Sequence, residues 1–533
     1  MRPPTLADPM GAPTRGAGPP SPDRRRLLLT LGFGAASAAA LSQLPRTATR
    51  SLTATHQGGP AADAGTLVET PALAAADPEP AAGHVYESVI TGGRVIDPET
   101  GFDEVANLGI DGGRITAVTR EPITGNRTID ASERVVAPGF IDLLSYEPNG
   151  YGEWFKIADG VTTNIGMHGL NAEASAFLEQ WTAAGSPVHF GGAYDAPFRR
   201  STLLGLGIGE AASASQIDQL VDDARQQLAA GWLGIDLEPE YTPGVEYEEM
   251  RRLAEVAAET GVTVFVHGRF SDDVAPGTNA DTLAEILQLA RDTGCSVHVE
   301  HLISTGGTFT MEASLATLQQ ARDEGIDVTA CMYAYDYWAT YLGSTRFSDG
   351  WQERFHISYD DLVVAGTGER LTEDTFPARQ RDNVLVAAYG IPEADVVTCL
   401  QSPLVMIGSD GILQSSNNNH PRAAGCFSRV LGRYVRDEEV LSLIDGLAKM
   451  TIMPAKRLEG AAPAMARKGR LQRGADADIV VFDPDAIADR ATIEDPAQES
   501  AGIDWVLVAG TAVKTPDGVD QSQLPGRAIT GAT

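Results

Sequence analysis

Eight short apolar runs, most of them separated by amphipathic segments, constrain this chain more than any other feature of it. They are Val135 to Leu144, Thr162 to His168, Val188 to Asp195, Leu233 to Glu238, Val262 to His267, Ser296 to His301, Asp327 to Tyr335 and Leu404 to Asp410. Between several of them, as in Ile217 to Ala229, Tyr247 to Glu259, Ala280 to Thr293 and Met311 to Glu324, apolar residues recur at three-to-four spacing, the signature of a helix with one buried face. Strands that alternate with helices and are themselves apolar throughout predict an α/β fold, and eight such units predict a (β/α)8 barrel of the TIM type. A doubly wound open sheet competes with this reading, but no G-x-G-x-x-G opens a helix where a nucleotide-binding fold requires one. The gap from Tyr337 to Ser402 is too long for an ordinary barrel connection and predicts a lid or helical insert over about 337–402.

Both flanks of this region are rich in short strands. Val89-Ile90-Thr91-Gly92-Gly93, Leu108-Gly109-Ile110-Asp111-Gly112-Gly113 and Ile115-Thr116-Ala117-Val118 precede it; Ala477 to Asp483 and Trp505 to Gly510 follow it. They predict one small composite β-sandwich built from 84–136 and 461–525 around a barrel domain of 137–460. The first 83 residues differ: Asp23-Arg24-Arg25-Arg26 leads into the apolar run beginning at Leu27, which reads as an export signal of the twin-arginine type over 1–44, with a flexible linker over 45–83. The expected destination is the periplasm or the exterior, with no stable membrane span after cleavage.

A formal net charge of -32 argues against a nucleic-acid partner, whose phosphates need basic neutralisation, and against an anionic membrane surface. Cys295, Cys331, Cys399 and Cys426 are too few for a disulfide framework in 533 residues, and Cys295 and Cys331 lie in or beside apolar runs as small buried hydrophobes.

The chemistry gathers at the ends of the runs. Counting back by twos aligns Asn164, Gly166 and His168, then Thr263, Phe265 and His267, then Val297, Val299 and His301, and finally Met406, Gly408 and Asp410. In a parallel barrel these terminal residues meet at one mouth. Three neutral imidazoles suit zinc and leave a coordination position open, and a carboxylate beside them, Asp410, can carry a proton to and from the reacting groups.

The motifs Gly231-Trp232-Leu233-Gly234 leading to Tyr241-Thr242-Pro243-Gly244, Val266-His267-Gly268-Arg269, Asp327-Val328-Thr329-Ala330 leading to Tyr333-Ala334-Tyr335, Ile407-Gly408-Ser409-Asp410-Gly411, His420-Pro421-Arg422 and Phe427 to Tyr434 belong together. With Met450-Thr451, Pro454 to Leu458 and Gly474 to Asp483, they make the chain resemble the N-acyl-D-amino-acid deacylases, or D-aminoacylases, of the amidohydrolase superfamily over about residues 85 to 515. The run Val135 to Asp142 resembles the superfamily's first barrel strand.

The resemblance implies that His267 and His301 are zinc ligands, Asp410 the catalytic acid and base, and Arg422 the partner of a substrate carboxylate. Tyr241 and Tyr333 fall where substrate-contacting tyrosines occur, positions at which a tyrosine can also simply pack; His420 is a neighbouring turn residue or a participant. The chain departs from the pattern in several places. Leu144 and Tyr146 replace a metal-binding histidine pair, His168 falls about where a zinc-binding cysteine is found, Ile303 replaces a lysine and Ala339 a serine. Asp236 and Glu238 occupy the region of a strand-four lysine that could carry a carbamate bridge, and Glu238 and Glu147 read as rim carboxylates, with entry to the metal shell as the other possibility. The implied protein is an exported deacylase of an N-acyl-(D-)amino acid with one zinc ion, acting on a small carboxylate-bearing molecule. A degenerate, non-catalytic ligand-binding barrel and a lactam or ester hydrolase on the same residues are the alternatives.

Overall fold

The structure, a computed structural model, describes residues 83–531 apart from 276, 417 and 418. The export-signal and linker expectations therefore lie outside the described residues. The centre of the chain is α/β. Phe140–Asp142, Val161–Gly166 and His189–Gly192 form a three-stranded parallel sheet. Tyr194–Asp195, Gly234–Leu237, Thr263–Val266, Ser296–Val299, Val328–Met332 and Val405–Ile407 form a six-stranded one, each strand parallel to its neighbour in chain order. Most of these strand residues are buried, as in the sequence Thr-Val-Phe-Val of 263–266, because helices cover one face and side chains of other strands the other. Ile165 from the smaller sheet packs in one apolar cluster with Leu233, Phe265, Cys331 and Met406, at or beside the strands of the larger.

The covering helices start and stop where local chemistry dictates. Ser213 and Gln216 make a capping box before Ala214–Ala229, and Thr278 with Asp281 does the same for Asn279–Thr293. Gly261 and Gly294, both in the left-handed conformation, end Tyr247–Thr260 and Asn279–Thr293. The first of these two buries Met250, Leu253, Ala254, Val256 and Ala257 at helical spacing.

Two expectations need correction. The run from Val135 to Leu144 is not one strand: Val135–Pro138 pairs with Ile479–Phe482 and Val85–Asp97, whereas Phe140–Asp142 pairs with Val161–Gly166. Gly139 makes the break, since its N–H donates to the Asp478 carbonyl at 2.8 Å and a Cβ there would collide with Thr162. The insert is not simply helical either; it contains a four-stranded sheet of Trp338–Tyr341, Leu385–Ala388, Leu362–Val364 and Glu369–Arg370. The flanks do combine, through the antiparallel pairing of Ile479–Phe482 with Val135–Pro138, into a hydrogen-bonded sheet of nine strands with its own apolar core. All four cysteines are free and buried. Among the described residues no helix is long and apolar enough to cross a membrane.

Candidate active site

Parallel strands deliver their last residues to one end of the sheet, and here those residues are donors. His168 follows Val161–Gly166, His267 follows Thr263–Val266, and Glu300 and His301 follow Ser296–Val299. One ligand atom from each of His168, His267, Glu300 and His301 lies within 4.8 Å of the others, and His168, Asp236 and Glu238 form a second such group. His267 Nδ1 is 3.1 Å from His301 Nε2, while His267 Nε2 faces the Glu240 carboxylate at 2.7 Å. Burial, reinforced by the cations His168 and Arg346, holds the His267 imidazole well below its usual pKa; burial does the same for His301. Both rings are neutral at pH 7, with lone pairs to offer.

His168 differs. Burial alone would lower its pKa, but the carboxylates of Glu238 and Glu300 outweigh this and raise it well above the ordinary value. Its Nδ1 lies 2.9 Å from Glu300 Oε2 and 3.4 Å from Glu238 Oε1. Neither oxygen of Glu300, a fully buried residue, accepts a hydrogen bond, and His168 Nδ1 has no aligned one. Buried polar atoms without partners are rare and costly, and two neutral imidazoles with a carboxylate form a donor set that zinc accepts. The residues fit a metal ion, and a cation that takes His168 as ligand must displace its proton.

Asp410 stands beside this group at φ 48°, and His301 within it at φ 22°, both unusual for residues other than glycine. Asp410 Oδ1 accepts from the Tyr146 hydroxyl at 2.8 Å and Oδ2 from Arg422 Nη2 at 2.9 Å. Burial pushes its carboxyl pKa up, but the Arg422 guanidinium, His301, His168 and the Tyr146 hydrogen bond bring it down to about 2. Its N–H donates to the Leu144 carbonyl at 2.8 Å. Lys156 braces the same corner: its Nζ reaches Asp142 Oδ2 at 2.6 Å, Ser409 Oγ at 2.7 Å and the Gly411 carbonyl at 2.5 Å. Leu144 is buried in the apolar cluster with Ile165 and Met406, so of the pair that replaces two histidines only Tyr146 reaches the site.

Arg422 lies 3.7 Å over the Tyr333 ring, with its Nε and Nη1 unpartnered; the Tyr333 hydroxyl is unpartnered as well. The Tyr241 ring sits 4.5 Å from that of His267, and its hydroxyl is 3.4 Å from Thr340 Oγ1. His420 lies against Gly411, and neither it nor Glu147 joins the clustered donors. Ile303 is buried in the main apolar core and Ala339 packs against it. Glu238 is not a solvated rim carboxylate, being largely buried against His168.

Three more residues of the site carry no clear mark in the sequence. Glu300 adjoins His301 and so falls on the wrong side in a count by twos; the strand ends at Val299, and beyond it alternation no longer applies. Glu240 holds His267 and also accepts from Ser271 Oγ at 2.7 Å. Arg346 comes from the insert, where no periodicity marks it. It is buried, stacks 4.2 Å over Trp338, donates to the Ser304 carbonyl at 3.0 Å, and comes within 3.9 Å of Glu240.

A family model described as an amidohydrolase family matches residues 395–514. The chain is 33% identical to the N-acyl-D-glutamate deacylase of Alcaligenes xylosoxydans xylosoxydans over 83% of this chain and 96% of that one. It is 28% identical to the D-aminoacylase of the same organism, over 80% and 94%. Among solved structures, the N-acyl-D-glutamate deacylase of Bordetella bronchiseptica, complexed with zinc and a phosphonate inhibitor, superposes with a TM-score of 0.72 at 28% identity, covering 84% of this chain and 100% of that one.

Proposed function

Because this chain belongs to the amidohydrolase superfamily, among relatives of the N-acyl-D-amino-acid deacylases, and is a metal-dependent hydrolase of carbon–nitrogen bonds, we propose that it deacylates an N-acyl-D-amino acid with one catalytic zinc ion. The observation that carries this reading is the convergence of His168, His267, Glu300 and His301 within 4.8 Å. His267 and His301 would hold the ion, with His168 or Glu300 completing its shell. Zinc, when bound, polarises a carbonyl oxygen and makes water acidic near neutral pH. Asp410, ionised and fixed by Tyr146 and Arg422, takes the proton of the attacking water and returns it to the departing amine nitrogen. The unpartnered Nε and Nη1 of Arg422 lie on different edges of its guanidinium, and either can donate to a substrate carboxylate over the Tyr333 face. Tyr241 walls the pocket beside His267.

Arg346 is a second buried guanidinium, with its Nε unpartnered. We read it as the group that meets an acidic substrate side chain, in line with the activity on N-acyl-D-glutamate named for two of the relatives. Arg346→Met should then lower kcat/KM for an N-acyl-D-glutamate about 10–100-fold more than for an N-acyl-D-leucine. Equal losses for both would remove this assignment.

The same proposal includes the architecture. The two parallel sheets are read as one (β/α)8 barrel, supported by the chain passing directly from Gly192 to Tyr194 and by the Asp410 N–H bond to the Leu144 carbonyl. The domains are then 84–136 with 461–525 for the composite β layer and 137–460 for the barrel. Export by the twin-arginine route rests on Asp23-Arg24-Arg25-Arg26 and the apolar run that follows; secretion unchanged by Arg24→Lys with Arg25→Lys would dismiss it.

A further inference from the structure

Beyond the two neutral histidines lies a group of buried carboxylates that a single zinc ion leaves largely uncompensated. Asp195 is already served, since it caps the helix Ala196–Leu204 by accepting from Phe198 N at 2.8 Å and accepts from Asn171 N at 2.9 Å. Asp236 is not: its Oδ2 accepts from Gly169 N at 3.0 Å, but its Oδ1 has no partner although the residue is 1% exposed. Among the described residues the Glu238 carboxylate has one ion-pair partner, the His168 ring, at 3.4 Å. Glu300, outside this group but adjoining His168, contributes a further carboxylate with both oxygens free of hydrogen bonds. Among the described residues the ion-pair partner of Glu238 and Glu300 is the one imidazole of His168, and no arginine or lysine pairs with Asp236. Buried carboxylates in such excess require protons or cations.

We propose that His168, Asp236 and Glu238 hold a second divalent cation, beside the catalytic zinc and next to the Tyr146 ring. Ligand atoms of the three lie within 4.8 Å of one another. Two carboxylates and one imidazole are a mixed oxygen and nitrogen set, suited to manganese(II) or zinc and unsuited to a soft monovalent metal. The turn that carries His168 is shaped for this approach. Gly169 has φ 55°, turns its N–H to Asp236, and would bring a Cβ within 3.2 Å of the Tyr146 ring. The site rests on the zinc reading above, because Glu300 and His168 adjoin both positions.

The test uses the chain stripped of metal, reloaded with one equivalent of zinc, and titrated with manganese(II) under electron paramagnetic resonance. One equivalent of manganese should bind to the wild type. Asp236→Asn and Glu238→Gln, checked for folding by near-ultraviolet circular dichroism, should weaken it at least as much as the roughly 10–100-fold that loss of an outer-shell partner costs, while each keeps its zinc. His267→Asn should lose the zinc instead. Wild-type protein that binds zinc but no manganese overturns the second site alone, as does manganese binding unaffected by both substitutions. A folded wild type that binds neither metal overturns the zinc reading and this inference together.

Discussion

Tyr146 puts a hydroxyl 2.8 Å from the carboxylate that a metal ligand pair would otherwise neighbour, and with Arg422 it leaves Asp410 one orientation. Removing the hydroxyl takes away a hydrogen bond to a charged group, worth about 1.5–3 kcal/mol. Tyr146→Phe is therefore expected to lower kcat by roughly 10–100-fold with zinc content unchanged, as steady-state kinetics and metal analysis on one preparation will read. Asp410→Asn removes the proposed proton carrier itself; a loss of about 10²–10⁴-fold in kcat with zinc retained is the expected outcome. As site candidates, His267, His301, His168, Asp410, Arg422, Tyr241 and Tyr333 were legible in the sequence because each ends or closely follows an apolar run or stands in a motif. Glu300, Glu240 and Arg346 were not. Their positions depend on a strand ending one residue before Glu300, on a turn after Glu238, and on an insert that packs against Glu240 and Ser304.

At the level of elements, Lys156 on the helix Gly152–Ala158 ties the first parallel strand to the last through Asp142 and Ser409. The Asp142 carboxylate is fully buried, so Lys156→Met leaves a charge without its partner. Such a break costs about 3–5 kcal/mol, which chemical denaturation will register. Glu153 on the same helix gives a pH signature. Burial raises its carboxyl from 4.5 to about 8, against a Ser186 hydrogen bond that lowers it. The folded chain holds this proton where the unfolded chain has released it, so stability falls as pH rises from about 4.5 to about 8, by up to about 1.4 kcal/mol per unit. Glu153→Gln should flatten that slope in melting curves taken across this range. The helices themselves were readable from their apolar spacing, as Ala214–Ala229 and Asn279–Thr293 illustrate. The division of the first strand at Gly139 was not, because its cause is the Asp478 carbonyl, remote in sequence.

For the molecule as a whole, two distant flanks share one sheet through Val135–Pro138 and Ile479–Phe482, and the parallel strands between them bring their donors to one end. Alternating apolar runs and amphipathic segments made the α/β centre legible, since burial on both faces writes itself into strand composition. The sheet inside the insert was hidden, its strands being only two to four residues long and paired out of chain order. The most direct test of the account measures amine release from matched N-acyl-D- and N-acyl-L-amino acids by the intact chain, before and after metal stripping and after return of one equivalent of zinc. The account predicts hydrolysis of the D series, lost on stripping and restored by zinc. Turnover that survives complete stripping, or a folded, zinc-loaded chain that hydrolyses neither series, would contradict it.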